Sequence, residues 1–172
     1  DLLTMSRASS RARQVASLAF VFPAFTAGSA MLSATLPIVH VLTHDPRRAT
    51  ERAQRIMGHG LAGCAEIFHR LDLMRSDGRA HRVAAASLDV GPCVLVANHP
   101  TLTDTIHVLA AYERTCVVAK RAHAERLLVV PALRAAGHII EGGDDFESVR
   151  SVMESSLARL RDGYRVLMFP EG

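Results

Sequence analysis

Cys93-Val94-Leu95-Val96-Ala97-Asn98-His99-Pro100-Thr101-Leu102-Thr103-Asp104 decides how this chain folds. It opens with a short β-branched apolar run, the pattern of a buried strand. Pro100 has no N–H to give a ladder and biases His99 away from the helical region, so the strand ends in a turn. The residues from Thr105 to Tyr112 then read as a helix. A histidine thus stands at a strand end, with a carboxylate five residues later. Imidazole titrates near neutrality and can take a proton from a hydroxyl and return it. A carboxylate beside it can fix the tautomer and stabilise the imidazolium. On one continuous helix His99 and Asp104 would lie roughly 140° apart, so they meet only if His99 sits in the loop and folds back. The plainer reading is a strand-end turn in which Asp104 caps a helix.

A second stretch bears on that choice. Arg165-Val166-Leu167-Met168-Phe169-Pro170-Glu171-Gly172 is another apolar strand closing in a Pro-Glu-Gly turn. Together, the His99-to-Asp104 block and Phe169-Pro170-Glu171-Gly172 resemble the glycerolipid acyltransferase family, whose type activity is 1-acyl-sn-glycerol-3-phosphate acylation. That family carries a histidine, four residues and an aspartate (the HX4D motif), and later a Phe-Pro-Glu-Gly block, each at a strand end. The resemblance covers Val94 to Gly172 and, more loosely, the membrane-facing region before it. It implies His99 as general base oriented by Asp104. It also implies an acceptor site near Glu171 and Gly172, and acyl-CoA or acyl-ACP as donor substrate, with no cofactor and no metal. The acceptor it implies is a lysophospholipid-like hydroxyl in phospholipid biosynthesis. A family strand of Gly-x-(Ile/Phe)-(Ile/Phe) type matches Gly137, Ile139 and Ile140. Gly143 stands where the family has an acceptor-phosphate arginine. Lys120, Arg121 and Arg126 are the cations available to replace it, and a non-phosphatidate lipid or glycolipid acceptor is the alternative.

Before the first motif, Gln14 to His44 holds no Asp, Glu, Lys or Arg. Val15 to Leu42 exceeds the roughly 20 apolar residues that cross a bilayer. Pro23 and Pro37 interrupt it. It reads as a kinked spanning helix or as a helical hairpin dipping into one leaflet; a buried helix pair of a soluble protein is the competing reading. Arginines flank both ends, so charge orients it only weakly. The expected plan is an apolar anchoring region, residues 1–44, and an α/β acyltransferase domain, residues 45–172, truncated at its C-terminus. The active domain is expected on the cytoplasmic side of the inner or plasma membrane.

Within that domain Arg47 to Leu73 has helical periodicity and an arginine-bearing face, weakened by Gly58, Gly60 and Gly63. Ser76-Asp77-Gly78 is a turn, and Arg82 to Ser87 a weak strand. Thr115 to Ala119 reads as a strand closed by Lys120-Arg121, a basic strand end able to hold a phosphate or carboxylate. Glu125 to Ala136 reads as a helix interrupted by Pro131, followed by a short strand at Gly137 to Ile140. Asp144 to Arg161 is the clearest helix, with Asp144 as cap and Glu147 completing a capping box. Its Phe146, Val149, Met153, Leu157 and Leu160 share one face, which predicts packing. Strands alternating with helices predict an α/β fold with a mostly parallel sheet and flanking helices, preceded by the membrane-associated helical region.

Composition narrows the function classes. The 172 residues suffice for one domain with a core. Net charge is +3, which suits an anionic membrane surface. Aromatics are 5% and Trp is absent, so base-stacking platforms, and with them nucleic acid, are not expected. Cys64, Cys93 and Cys116 have neither disulfide-framework nor zinc-knuckle spacing and read as small core residues of a protein in a reducing compartment. Membrane lipids, an acyl carrier and a lysolipid are the expected partners. Two other classes compete. A metal-dependent hydrolase would use His99, Asp104 and His107, the last two being three apart on a helix. A catalytically silent membrane-binding protein would keep His99 buried and away from Asp104.

Overall fold

The computed structural model describes residues 2–70, 91–98 and 104–170. Its elements run α1 Leu2–Leu42, α2 Pro46–Arg70, β1 Val94–Val96, α3 Asp104–Ala111, β2 Thr115–Lys120, α4 Arg121–Arg126, α5 Val130–Ala135, β3 Ile139–Glu141, α6 Phe146–Arg161 and β4 Arg165–Met168. The weak strand and turn expected between residues 76 and 87 lie outside the described residues.

The short apolar runs become one parallel sheet of order β1-β4-β2-β3. Val94 pairs with Val166, Cys116 with Val166, and Val118 with Ile139, all in parallel register. Parallel strands need crossovers, and the helices supply them. From β1 through β2 to β3 the chain steps one way across the sheet; from β3 to β4 it steps back. Right-handed crossovers therefore place α6 on the face opposite α3 and α5. The four described strands all end at one edge, where the segments after Val96, Lys120, Glu141 and Met168 begin.

Three sequence expectations are corrected. β1 is not buried: among the described residues it pairs with β4 alone, at the end of the sheet, and Val94 and Val96 are 47% and 68% exposed. The α6 stripe is not core either. Phe146 is 78% exposed, and Val149, Met153 and Leu157 are also exposed. The helix instead rests on β3 and β4, with Ser156 its buried residue, so the apolar stripe stands one step around the cylinder. The helix cap is Asp145, not Asp144. Asp145 accepts from Ser148 N–H at 3.0 Å and Ser148 Oγ–H at 2.9 Å. These bonds hold its carboxyl below the usual range.

The segment expected as one helix around Pro131 forms two. α4 and α5 are separated by a turn in which Leu128 has φ 54°. Pro131 sits in the first turn of α5, where a missing N–H costs nothing. The apolar N-terminal run is one helix continuing through Pro23 and Pro37, so no hairpin forms. From Ser29 onward one face of α1 joins the domain. Ser29 and Leu36 are buried, Ser33 Oγ donates to the Leu128 carbonyl at 2.6 Å, and His40 Nε2 donates to the Ala135 carbonyl at 2.7 Å. Leu36 clusters with Ala53 and Met57 of α2 and Ala132, Leu133 and Ala135 of α5. Truncating so enclosed a leucine to alanine costs about 2–5 kcal/mol. Of the glycines expected to weaken α2, Gly58 serves its packing: a Cβ there would lie 3.5 Å from the Leu109 carbonyl of α3.

Candidate active site

The motif strands are neighbours. β1 and β4 pair in register, and Ala97 N–H donates to the Met168 carbonyl at 3.2 Å, one step beyond the strands. The chain that carries His99 and the chain that carries Phe169-Pro170 therefore leave the sheet side by side. Local sequence explains the exit: the β-branched run stops at polar Asn98, which is exposed. His99 itself, and the residues to Thr103, lie outside the described residues. Asp104 opens α3, half-buried in its first turn, where a carboxylate also complements the positive end of the helix dipole. His107 follows one turn later on the same side of the helix. Among the described residues no group of three His, Cys, Asp or Glu side chains gathers to hold a metal.

Lys120 ends β2 and faces Glu141 across the β2–β3 pair, while Arg121 opens α4; both basic side chains are exposed. With strands about 4.8 Å apart, Lys120 stands two strands, about 10 Å, from the end of β1. Arg121 leads away along α4 toward Leu128. Phe169 is half-buried and Pro170 exposed at the β4 end, and Glu171 and Gly172 lie outside the described residues. One edge thus assembles the β1 exit, Asp104, Lys120, Arg121 and the Phe169-Pro170 turn.

Gly143 follows β3 at the far side of this edge. A Cβ there would lie 3.2 Å from Asp145 Oδ2, so the cap and the glycine belong together. An arginine at this position would crowd the carboxylate that holds the start of α6. The loop instead exposes Asp144 and Asp145.

At the opposite, amino-terminal edge a hollow of about 440 Å³ lies between α2 and α3, lined by Glu51, Gln54, Arg55, Tyr112 and Glu113 with His138 at its wall. It adjoins the start of β2, not the strand ends. Sequence reasoning passed over His138 as part of an apolar strand. Its Nδ1 accepts the Val117 N–H at 3.0 Å and its Nε2 faces Met57 Sδ at 3.4 Å. Burial, aided by the Arg159 charge, pushes its pKa down to about 4, so it is neutral at pH 7. The only hint was a histidine set between Gly137 and two isoleucines. Burial likewise pushes the Cys116 thiol up to about 11, which leaves it inert. Cys116 is a core residue as expected; Cys64 and Cys93 are only half-buried.

A family model described as Acyltransferase matches residues 78–172, more than half of the chain. No curated protein and no solved structure matches the chain.

Proposed function

Because the chain belongs to the glycerolipid acyltransferase family, we propose that it moves a fatty acyl group from acyl-CoA or acyl-ACP to a hydroxyl of a lysophospholipid-like acceptor. The carrying observation is the pairing of β1 with β4, which starts the two motif loops next to each other. In this reading His99 takes the proton of the acceptor hydroxyl as its oxygen attacks the thioester carbonyl carbon. The C–S bond then breaks, an ester forms, and the imidazolium returns its proton to the leaving thiolate. Asp104 holds the ring and stabilises its charged form. Glu171, the amides near Gly172, Lys120 and Arg121 position the acceptor and stabilise the oxyanion. Neither motif places a Ser or Cys nucleophile, which favours direct transfer over an acyl-enzyme.

The acceptor class has a second reading that one observation favours. Gly143, Asp144 and Asp145 put exposed acids where a phosphate-binding arginine would stand. A lipid or glycolipid acceptor without a terminal phosphate fits that loop better, unless Lys120 or Arg121 carries the phosphate. Comparing lysophosphatidate with neutral lysolipids as acceptors decides between them.

The helix α1 contains a 20-residue window, Pro23–Leu42, apolar and long enough to cross a membrane and only 11% buried. We place the protein at the membrane through this helix, with the active domain on the cytosolic side. Sedimentation with membranes through a salt wash, and release by detergent, is the expected result; recovery in the soluble fraction would count against the anchor.

A further inference from the structure

The turn between α4 and α5 does not touch α1 near its end but in the middle of the apolar window. Ser33 Oγ bonds the Leu128 carbonyl, and Ala30, Ser33 and Ala34 form one wall of a groove of about 470 Å³. Leu128, Val130 and Pro131 form the other wall, and Glu125 is the acidic side chain lining it. From Ser29 to His40 one face of that window is packed on the domain, so this part of α1 meets lipid with its outer face, at the bilayer surface. Wherever the window Pro23–Leu42 enters lipid, the α4–α5 turn is carried to the same depth.

The turn is built for that depth. Leu128 is 55% exposed and adopts φ 54°, a left-handed conformation that costs a leucine about 1–2 kcal/mol and gains nothing from water. Three of the turn's backbone N–H groups and the carbonyl of Leu128 are paired within the protein. Leu127, Leu128 and Val129 N–H groups donate to the carbonyls of His123, Glu125 and Ala124, and the Leu128 carbonyl accepts from Ser33. Internal pairing is what a hydrocarbon environment demands of a non-helical turn. Arg121 and Arg126 are exposed on the short helix beside it, at the right place for headgroup phosphates.

We propose that the α4–α5 turn, Leu127–Pro131, is a second lipid-contacting element. It inserts Leu128 at the headgroup–acyl boundary alongside the outer face of α1. This rests on the membrane reading of α1. It also puts the path from the bilayer to Lys120 along the six residues of α4.

The chain has no tryptophan, so single-tryptophan variants report cleanly. Ile38→Trp marks the outer face of α1, Leu128→Trp the turn, and Phe146→Trp the exposed stripe of α6 on the other side of the sheet. Each full chain is bound to vesicles of phosphatidylcholine and phosphatidylglycerol with acyl chains brominated near the carboxyl end. The expected result is loss of emission for Ile38→Trp and Leu128→Trp to similar extents, with Phe146→Trp unquenched. Quenching of Ile38→Trp without Leu128→Trp overturns the proposal and leaves the α1 anchor standing. No quenching at either position overturns both. Quenching at Phe146 to the same extent overturns the sided contact. Leu128→Gly supplies a readout that packing alone would not move: it relieves the positive φ, so thermal stability holds or rises, while vesicle affinity falls about tenfold. A loss of stability with unchanged affinity would overturn the proposal.

Discussion

At the amino-terminal edge of the sheet the polar groups are engaged with one another. Arg114, itself at φ 51°, donates to the Asp162 carbonyl at 2.8 Å and lies 5.0 Å over the Tyr164 ring; Arg159 lies 5.7 Å from the same ring. Arg165 donates to the Glu113 carbonyl, and His138 completes the hydrogen bonding of β2. Gly137 and Gly163 hold positive φ in tight contact with arginine side chains. At the carboxyl-terminal edge of the same strands, Asn98, Lys120 and Pro170 face solvent. The contrast teaches a division of labour. One edge fixes the strands by mutual contacts and tolerates local strain, which leaves the other free to present side chains to a ligand, as open α/β sheets do.

Variants at the two edges should therefore fail in different ways. The largest effect is expected for His99→Ala, which should lower transfer by about 10²–10⁴-fold while the melting temperature stays put; equal activity in a folded variant would break the contrast. Asp104→Asn should cut kcat less than His99→Ala does, since the amide still bonds the ring but cannot stabilise its charge. Gly137→Ala reverses the pattern. A Cβ there would lie 2.7 Å from Thr50 Cγ2 at φ 73°, so stability should fall by about 1–3 kcal/mol in denaturant melts, with kcat of the folded fraction unchanged. Lys120→Ala should raise acceptor KM more than it lowers kcat if this lysine holds the acceptor's anion.

The amino-terminal edge should also show a pH dependence of stability. The folded pKa of His138, about 4, lies below the ordinary value of 6.5. Between those values the unfolded chain binds a proton that the folded chain refuses, so stability falls as pH drops from about 6.5 to 4 and levels off below. His138→Gln can still accept the Val117 N–H and should flatten that part of the difference in unfolding free energy. Parallel curves for the variant and the original chain would remove His138 from the account.

Much of the carboxyl-terminal edge was legible in the sequence because its signals are local. A β-branched run, a proline, then a helical pattern set the β1–α3 exit, and the same logic set β4 and its Phe169-Pro170 turn. What escaped was set by distant partners. Val94 and Val96 look like core until β1 is placed at the end of the described sheet, beside a strand some seventy residues away. The α6 stripe has sound helical periodicity, but which side meets the sheet depends on the crossover, and Ser156 won the buried position. Glu147 three residues on pointed to Asp144 as the cap; geometry selects Asp145, whose carboxylate reaches Ser148. His99, Glu171 and Gly172 rest on the motifs alone, since they lie outside the described residues.

The most direct test incubates the protein in detergent–lipid micelles with acyl-CoA or acyl-ACP and a mixture of lysolipids, and reads lipid products by mass spectrometry beside His99→Ala and His107→Ala. The account predicts a new diacyl lipid, made equally well with chelator present, retained by His107→Ala and lost by a folded His99→Ala. Release of free fatty acid without acyl lipid, or activity that vanishes in His107→Ala and returns with added metal, would contradict it.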